Sequence, residues 1–77
     1  MESSTPLLKN GSRGEAVTRL QQSLYQLGYD PRGADGIFGP NTERAIKAFQ
    51  RDHGLAADGV VGPKTWAALE EELAAGV

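Results

Sequence analysis

The nine residues ADGIFGPNT at 34–42 return 23 positions later as ADGVVGPKT at 57–65. Most of the shared letters have a role in backbone geometry. An aspartate followed by a glycine predicts a turn, because the carboxylate can accept a hydrogen bond from the backbone two residues on and glycine can adopt a positive φ. A proline favours the first position of a helix, where its missing N–H is not needed. The repeat therefore predicts a unit of one loop and one helix, used twice.

The remaining positions of the repeat fit the same interpretation. We expect the apolar pairs at 37–38 and 60–61 to insert the two loops into the core. We also expect the glycine before each proline to allow a close approach of the backbone. The residues assigned to this structural motif are Asp35, Gly36, Gly39, Thr42, Asp58, Gly59, Gly62, Thr65 and Trp66.

Apolar periodicity predicts three helices, near 13–27, 40–53 and 63–73. Ser12 and Glu15 have the S-x-x-E spacing of a capping box, and Gly28 and Gly54 are placed to end the first two helices. The expected fold is all-α, a compact three-helix bundle with two Asp-Gly-x-x-Gly-Pro loop–helix repeats and little or no strand. Residues 1–6 would form a flexible lead-in, 7–74 the domain and 75–77 a frayed tail.

Length and composition exclude several classes of protein. A chain of 77 residues forms one domain, near the lower limit of what a single core can stabilise. It has no cysteine, so neither a disulfide nor a zinc–thiolate site can form. Eight basic residues against ten acidic ones argue against a protein that binds nucleic acid by neutralising phosphates. No apolar run is long enough for a membrane span, and the polar start has no signal-peptide core.

No arrangement of residues predicts catalysis, a metal or a cofactor. Asp35 and Asp58 could in principle form the carboxylate pair of a glycosidase, but both occupy turn positions that favour aspartate for local hydrogen bonding. The loop after Asp35 supplies no side-chain oxygens at calcium-site spacing, and GPKT at 62–65 lacks the glycine spacing of a phosphate loop. His53 is the single histidine, and we expect it at the edge of the core.

The aromatic residues divide into core and surface. Phe49 and Trp66 fall on the apolar stripes of their helices, so we expect them in the core. Tyr25 lies away from the stripe of the first helix and is expected to be exposed. Tyr29 and Phe38 lie in or beside the loop that follows it. Exposed tyrosines near a loop can hold the apolar face of a sugar, although tyrosines at a core boundary are equally familiar.

Two further sets of polar residues lie along the helices. Gln21 and Gln50 border the predicted core and are expected to bond loop carbonyls. Arg44, Lys47 and Arg51 form a basic stripe on the outer side of the second helix. Such a stripe is either a solvated face or a means of attracting anionic wall polymers and peptide carboxylates.

Four motifs appear in order between about Leu8 and Leu69: G-x-x-G-x-x-V-x-x-L-Q, D-G-x-F-G-P-x-T, A-x-x-F-Q and D-G-V-V-G-P-x-T-W. In these motifs the chain resembles the peptidoglycan-binding domain of bacterial cell-wall hydrolases and phage endolysins. The resemblance implies a three-helix, non-catalytic module that anchors an attached or partner protein to peptidoglycan. It would act as a monomer in the cell wall or periplasm, beside a catalytic domain of the same or a partner chain. It would bind neither nucleic acid nor membrane.

Two other functions fit a module of this type. One is a protein-interaction or scaffold module that reuses the fold without affinity for glycan. The other is the related helical module of animal metalloproteinase propeptides, which silences an enzyme with a cysteine that lies beyond the module. The chain has no cysteine, so this last role is disfavoured.

The expected ligand surface lies around the first repeat, because the apolar helix faces are needed for the core. The predicted ligand-binding residues are Tyr29, Phe38 and Asn41, with Tyr25 and Arg44 as flanks. They combine aromatic surface with polar groups and loop amides, as a shallow carbohydrate site requires. The second copy has Val61 in place of Phe38 and Lys64 in place of Asn41, so the two loops should not bind alike.

Overall fold

The computed structural model describes residues 7–75, so the predicted lead-in at 1–6 and the last two residues lie outside the described range. Three helices follow one another along the chain: α1 (Glu15–Gln26), α2 (Pro40–Asp52) and α3 (Pro63–Ala75). Within residues 7–75 the only β-structure consists of two isolated bridges, which pair Leu8 with Val61 and Arg13 with Ile37. The all-α, three-helix prediction is confirmed, and α3 runs two residues further than predicted.

The start of α1 differs from the prediction of a capping box. The N-cap residue is Gly14, and no side chain caps the helix. Ser12 instead accepts a hydrogen bond from the backbone N–H of Lys9 at 3.0 Å. The segment 11–14 is paired with the loop before α2, where Gly11 N–H donates to Phe38 O and Gly14 N–H donates to Gly36 O. This pairing holds the segment extended, so the helix begins two residues later than predicted.

The ends of α1 and α2 are formed by the same glycine-based motif. Gly28 has φ 93° and Gly54 has φ 72°. After each glycine the next backbone N–H donates back to a carbonyl in the last helical turn, from Tyr29 to Leu24 and from Leu55 to Gln50, both at 2.8 Å. This is the Schellman arrangement, which a left-handed residue makes possible. Both predicted helix stops are therefore confirmed.

The core lies between the three helices and is completed by residues from the loops. α1 packs against both α2 and α3. The buried apolar side chains are Leu8, Val17, Leu20, Leu24, Phe38, Ala45, Ile46, Phe49, Val61, Trp66 and Leu69. Burying a large apolar side chain contributes roughly 1.5–3 kcal/mol, so this set is the main stabilising element of a small domain. The core positions predicted for Phe49 and Trp66 are confirmed.

His53 lies at the boundary of the core, as predicted. Its ring stacks on Phe49 with 4.1 Å between the ring centroids. Its Nδ1 lies 2.9 Å from the Phe49 carbonyl oxygen, and its Nε2 lies 3.4 Å from a Glu72 carboxylate oxygen. The second contact becomes an ion pair only when the imidazole is protonated. His53 therefore connects the end of α2 to α3.

No helix within residues 7–75 is both long enough and apolar enough to cross a membrane.

Candidate functional site

The loop before α2 is held by one buried glutamine of α1. The Gln21 side-chain amide donates to Asp35 Oδ1 at 3.2 Å, to Ile37 O at 3.0 Å and to Thr42 Oγ1 at 3.0 Å. Its Oε1 accepts the N–H of Gly36 at 3.0 Å. Asp35 Oδ1 also accepts the N–H of Ile37, at 3.0 Å. We call these contacts the first hydrogen-bond cluster, and they fix the loop against α1.

The loop before α3 has the same arrangement around Gln50 of α2. The Gln50 amide donates to Asp58 Oδ1 at 3.3 Å, to Val60 O at 2.9 Å and to Thr65 Oγ1 at 3.2 Å. Its Oε1 accepts the N–H of Gly59 at 3.0 Å, and Asp58 Oδ1 accepts the N–H of Val60 at 2.9 Å. This second hydrogen-bond cluster matches the first bond for bond. The prediction that the two glutamines bond loop carbonyls is confirmed.

The two aspartates of the repeat are structural acceptors. The N–H of Ile37 and the Gln21 amide hold the pKa of Asp35 below its ordinary value. A general acid that works near neutral pH needs a raised carboxyl pKa, so the environment of Asp35 is opposite to that requirement. The geometry supports the structural role that the turn chemistry predicted.

At two positions of the repeat there is a clear steric reason for a glycine. Gly36 and Gly59 have φ 77° and 75°. A Cβ at Gly36 would lie 2.9 Å from Thr18 Oγ1, and a Cβ at Gly59 would lie 3.0 Å from Glu43 Cγ. The close approach predicted for the other two glycines is wrong: a Cβ at position 39 would meet nothing within 4 Å, and one at position 62 would make only an ordinary contact at 3.8 Å.

The apolar pairs of the repeat enter the core with one residue each. Phe38 and Val61 are buried, whereas Ile37 is 46% exposed and Val60 is half-buried. Because successive side chains of an extended segment point in opposite directions, only one of each pair can face the core. Phe38 is 1% exposed, so the prediction that its ring contacts a ligand is wrong. Only part of the prediction that both members insert is confirmed.

A groove of about 530 Å³ lies between α1 and the loop that follows it. We call it the wide groove. Its α1 wall consists of Gln21, Gln22, Tyr25 and Gln26, and its loop wall consists of Asp30, Pro31, Gly33 and Ala34. Tyr25 is 69% exposed, as predicted, while Pro31 is buried. The wide groove has the size of a small-molecule site, which is typically about 300–1,000 Å³.

A smaller groove of about 170 Å³ adjoins the wide groove, and we call it the narrow groove. The two share Gln21 and Pro31. The narrow groove also contains Asn41, whose Oδ1 accepts a hydrogen bond from Arg44 at 3.2 Å. Three of the predicted ligand residues, namely Tyr25, Asn41 and Arg44, therefore lie on or beside two adjoining grooves.

Tyr29 lies elsewhere. Its ring packs edge-on against Phe49, with 5.5 Å between centroids, and its hydroxyl donates to Asp52 Oδ2 at 2.7 Å. The hydrogen bond to Asp52, then burial and the charges of Asp52 and Glu72, raise the pKa of the Tyr29 hydroxyl. Tyr29 lines neither the wide groove nor the narrow groove. The structure therefore does not bring it together with Tyr25 and Asn41.

The second loop has a groove of its own, of about 490 Å³. It includes Leu55, Pro63 and Lys64, where Lys64 is the counterpart of Asn41. Its position beside the second hydrogen-bond cluster corresponds to that of the narrow groove beside the first. The wide groove has no counterpart among these grooves.

Tyr25 is the one residue of the wide-groove lining that the sequence reasoning predicted as a ligand residue; among those it missed are Gln22, Gln26, Asp30 and Pro31. A signal for them is present in the repeat itself. The glutamine and aspartate of the first cluster are 14 positions apart, whereas those of the second are 8 apart. Part of the difference is about one more helical turn after Gln21 than after Gln50, and the rest lies in the longer loop that follows α1. The wide groove lies between that last turn of α1 and the loop.

The described part of the chain, residues 7–75, contains no group of three His, Cys, Asp or Glu side chains that could hold a metal ion.

Comparisons with known proteins agree with this fold. A family model described as "Putative peptidoglycan binding domain" matches residues 13–69. The chain is 49% identical over 63 residues to the zinc D-Ala-D-Ala carboxypeptidase of Streptomyces albus G, a match that covers 77% of this chain and 24% of that protein. It is 45% identical over 74 residues to an uncharacterized protein of Kitasatospora aureofaciens, covering 95% of this chain and 63% of that one.

Among solved structures, the SleB N-terminal domain superposes with a TM-score of 0.86 at 36% sequence identity. That match covers 90% of this chain and 94% of the SleB chain. By contrast, the chain spans less than two thirds of the length of the two curated relatives described above. The family match includes both hydrogen-bond clusters, α1, α2 and the buried part of α3. The chain therefore belongs to the peptidoglycan-binding domain family.

Proposed function

We propose that this chain is a non-catalytic module that binds peptidoglycan and holds an attached or partner protein against the cell wall. The observation that carries the proposal is the family match over residues 13–69. The similarity to a zinc D-Ala-D-Ala carboxypeptidase supports it. The match covers 24% of that protein, as expected if a domain of this kind is one part of a longer protein. A cell-wall hydrolase in the same or a partner chain is the proposed neighbour, and the proposed site of action is outside the cytoplasm.

The proposed binding surface consists of the wide groove and the narrow groove. It offers one exposed aromatic ring at Tyr25 and, at Asn41, an amide whose Nδ2 makes no hydrogen bond within residues 7–75. Arg44 flanks the narrow groove and can meet a carboxylate of a stem peptide. Tyr29 and Phe38 contribute through the fold, by packing against or within the core. The grooves join at Gln21 and Pro31, so an extended polymer can occupy both.

Sedimentation with purified murein sacculi tests this proposal. The folded domain should be recovered with the sacculi as a monomer and should release no soluble fragments from them. Asn41→Ala should weaken recovery because it removes a polar group from the narrow groove. Lys64→Ala is the matched control at the same position of the second repeat, and it should bind like the parent.

Three results would contradict the proposal. Release of soluble murein fragments would overturn the non-catalytic role. Failure of the folded domain to sediment with sacculi would favour a scaffold module that uses the fold without glycan affinity. Equal losses for Asn41→Ala and Lys64→Ala would show that the first repeat is not the preferred surface.

A further inference from the structure

The wide groove is lined by residues of little charge. Gln22 and Gln26 lie one helical turn apart on α1, so their amides share one face of the helix. Neither amide makes a side-chain hydrogen bond with another residue in the range 7–75, and the Tyr25 hydroxyl makes none either. Asp30 is the one carboxylate in the lining. Its Oδ1 accepts the N–H of Arg32 at 2.8 Å, which leaves Oδ2 available as an acceptor.

These groups match the chemistry of an N-acetylated sugar. The exposed Tyr25 ring can pack against the apolar face of a pyranose, as aromatic rings do with flat apolar surfaces. Two neutral amides can both donate to and accept from sugar hydroxyls and acetamido groups. The free oxygen of Asp30 can accept a hydroxyl hydrogen. The exposed side chain of Ala34 supplies apolar surface for an acetyl methyl group.

We propose that the wide groove binds the glycan strand of peptidoglycan, with an N-acetylhexosamine lying on the Tyr25 ring, and that the stem peptide lies outside it. This inference rests on the proposed function and adds the part of the polymer that is recognised and the residues that recognise it. Of these residues, Gln22, Gln26 and Asp30 were not among the ligand residues expected from the sequence.

Charge complementarity decides between the sugar and the stem peptide. A stem peptide carries free carboxylates, and the wide groove would place them near the negative charge of Asp30, with no basic side chain in its lining. Like charges at short range in a partly desolvated site repel each other. N-acetylglucosamine is neutral, and the lactyl carboxyl of the neighbouring sugar is neutralised where a peptide is attached to it. The wide groove therefore favours the strand.

The comparison between the two repeats supports the availability of these residues for binding. The second hydrogen-bond cluster is complete with its glutamine and aspartate eight positions apart in the sequence. The first cluster makes the same bonds across fourteen positions. Tyr25, Gln26 and Asp30 lie within the longer connection, and none of the bonds of the first cluster involves them. The cluster thus fixes the fold without using the groups that line the wide groove.

Titration of the 15N-labelled domain with tetra-N-acetylchitotetraose, followed by backbone NMR, tests this inference. The expected amide shifts cluster at residues 22–34. Tyr25→Ala should weaken the binding of this neutral glycan about tenfold, since the contact of one aromatic face is lost. Tyr25→Phe should bind like the parent, because it keeps the ring. Lys64→Ala in the second loop is the matched control and should leave the affinity unchanged.

A second titration with a free stem tetrapeptide separates this inference from the proposed function. One outcome is that the domain binds sacculi, but the amides of residues 22–34 shift with the tetrapeptide and not with chitotetraose. This result would overturn the glycan assignment and leave the proposed function in place. Chitotetraose shifts at 22–34 without sacculus binding would support the glycan assignment and contradict the proposed function. An absence of response to both sacculi and chitotetraose would overturn both.

Discussion

The loop between α1 and α2 spans residues 27–39, and the loop between α2 and α3 spans residues 53–62. Both end in the same hydrogen-bond cluster, a glutamine from the preceding helix bound to an Asp-Gly turn and to a threonine of the next helix. They differ in the chain that leads to the turn: α1 continues for about one turn more after its glutamine than α2 does, and the first loop is itself longer. The difference shows which part of the repeat maintains the fold and which part can vary.

The cluster maintains the fold, because its bonds have nearly the same lengths in both copies although the connections differ by six residues. The variable part is the connection between the glutamine and the aspartate. In the first copy this connection forms part of the wide groove, and in the second copy it is too short to do so. A repeated unit can thus acquire a groove in one copy without disturbing the bonds that hold the other.

The largest effect is expected at Trp66, the residue that follows GPKT in the second repeat. Its counterpart after GPNT in the first repeat is Glu43. Trp66 is buried, and truncating it to alanine should destabilise the domain by about 3–5 kcal/mol. This is a large part of the roughly 5–15 kcal/mol that holds a typical domain together. The melting temperature should fall by more than about 10 °C in thermal unfolding followed by circular dichroism.

Glu43→Ala is the control for that experiment. Glu43 is half-buried and makes solvent-accessible contacts with Asn10 and Lys47. Such contacts contribute about 0–1 kcal/mol, so Glu43→Ala should melt within a few degrees of the parent. Similar losses for the two variants would show that the two copies share their packing as well as their hydrogen bonds.

An intermediate effect is expected when either cluster loses its glutamine. Gln50→Ala and Gln21→Ala each remove a buried amide whose two N–H hydrogens are shared among three acceptors and whose oxygen accepts one N–H, the equivalent of about three hydrogen bonds at about 0.5–1.5 kcal/mol per bond. Each should destabilise the domain by roughly 2–4 kcal/mol in urea unfolding. Gln50→Glu should be as harmful as Gln50→Ala, because a carboxylate oxygen would face the acceptors on Asp58 and Val60. A much smaller loss for Gln21→Ala would mean that the longer connection holds the first loop by other contacts.

The smallest effect concerns Asp35 and pH. Its pKa is lowered in the folded protein by the Ile37 N–H and the Gln21 amide, so the folded state binds a proton less readily than the unfolded state. The stabilising contribution is therefore present above the ordinary aspartate pKa and is lost as the pH falls through the lower, folded value. In urea unfolding, the difference in stability between the parent and Asp35→Asn should shrink between pH 6 and pH 2. A difference that stays constant would contradict this.

The parts of the fold set by local chemistry could be predicted from the sequence. Pro40 and Pro63 begin their helices, and Gly28 adopts the left-handed conformation that ends α1. The capping box at Ser12 was wrong because pairing between the segment 11–14 and the first loop outweighs a local cap. Phe38 was misplaced as a ligand residue because adjacent loop side chains alternate, and which of them faces the core depends on the direction of the loop.

The candidate site was only partly predictable for a related reason. The exposure of Tyr25 follows from its position on the helix wheel, and the structure confirms it. A groove, however, forms between two elements. In the wide groove one wall lies on α1 and the other on the loop that follows it. The unequal Gln–Asp spacing of the two copies marks where such a groove can form, but the direction in which the loop returns is set by the packing of residues such as Pro31, which is buried.

The bridge between Leu8 and Val61 also determines how the domain bears mechanical load. Two backbone hydrogen bonds join these residues, with N–O distances of 3.1 and 2.8 Å. Tension applied to the chain at residue 7 would therefore reach the loop before α3 through this bridge before it reaches α1. In a module that holds another protein to a rigid polymer, the bridge would be the first part of the described structure to resist a pull on that side.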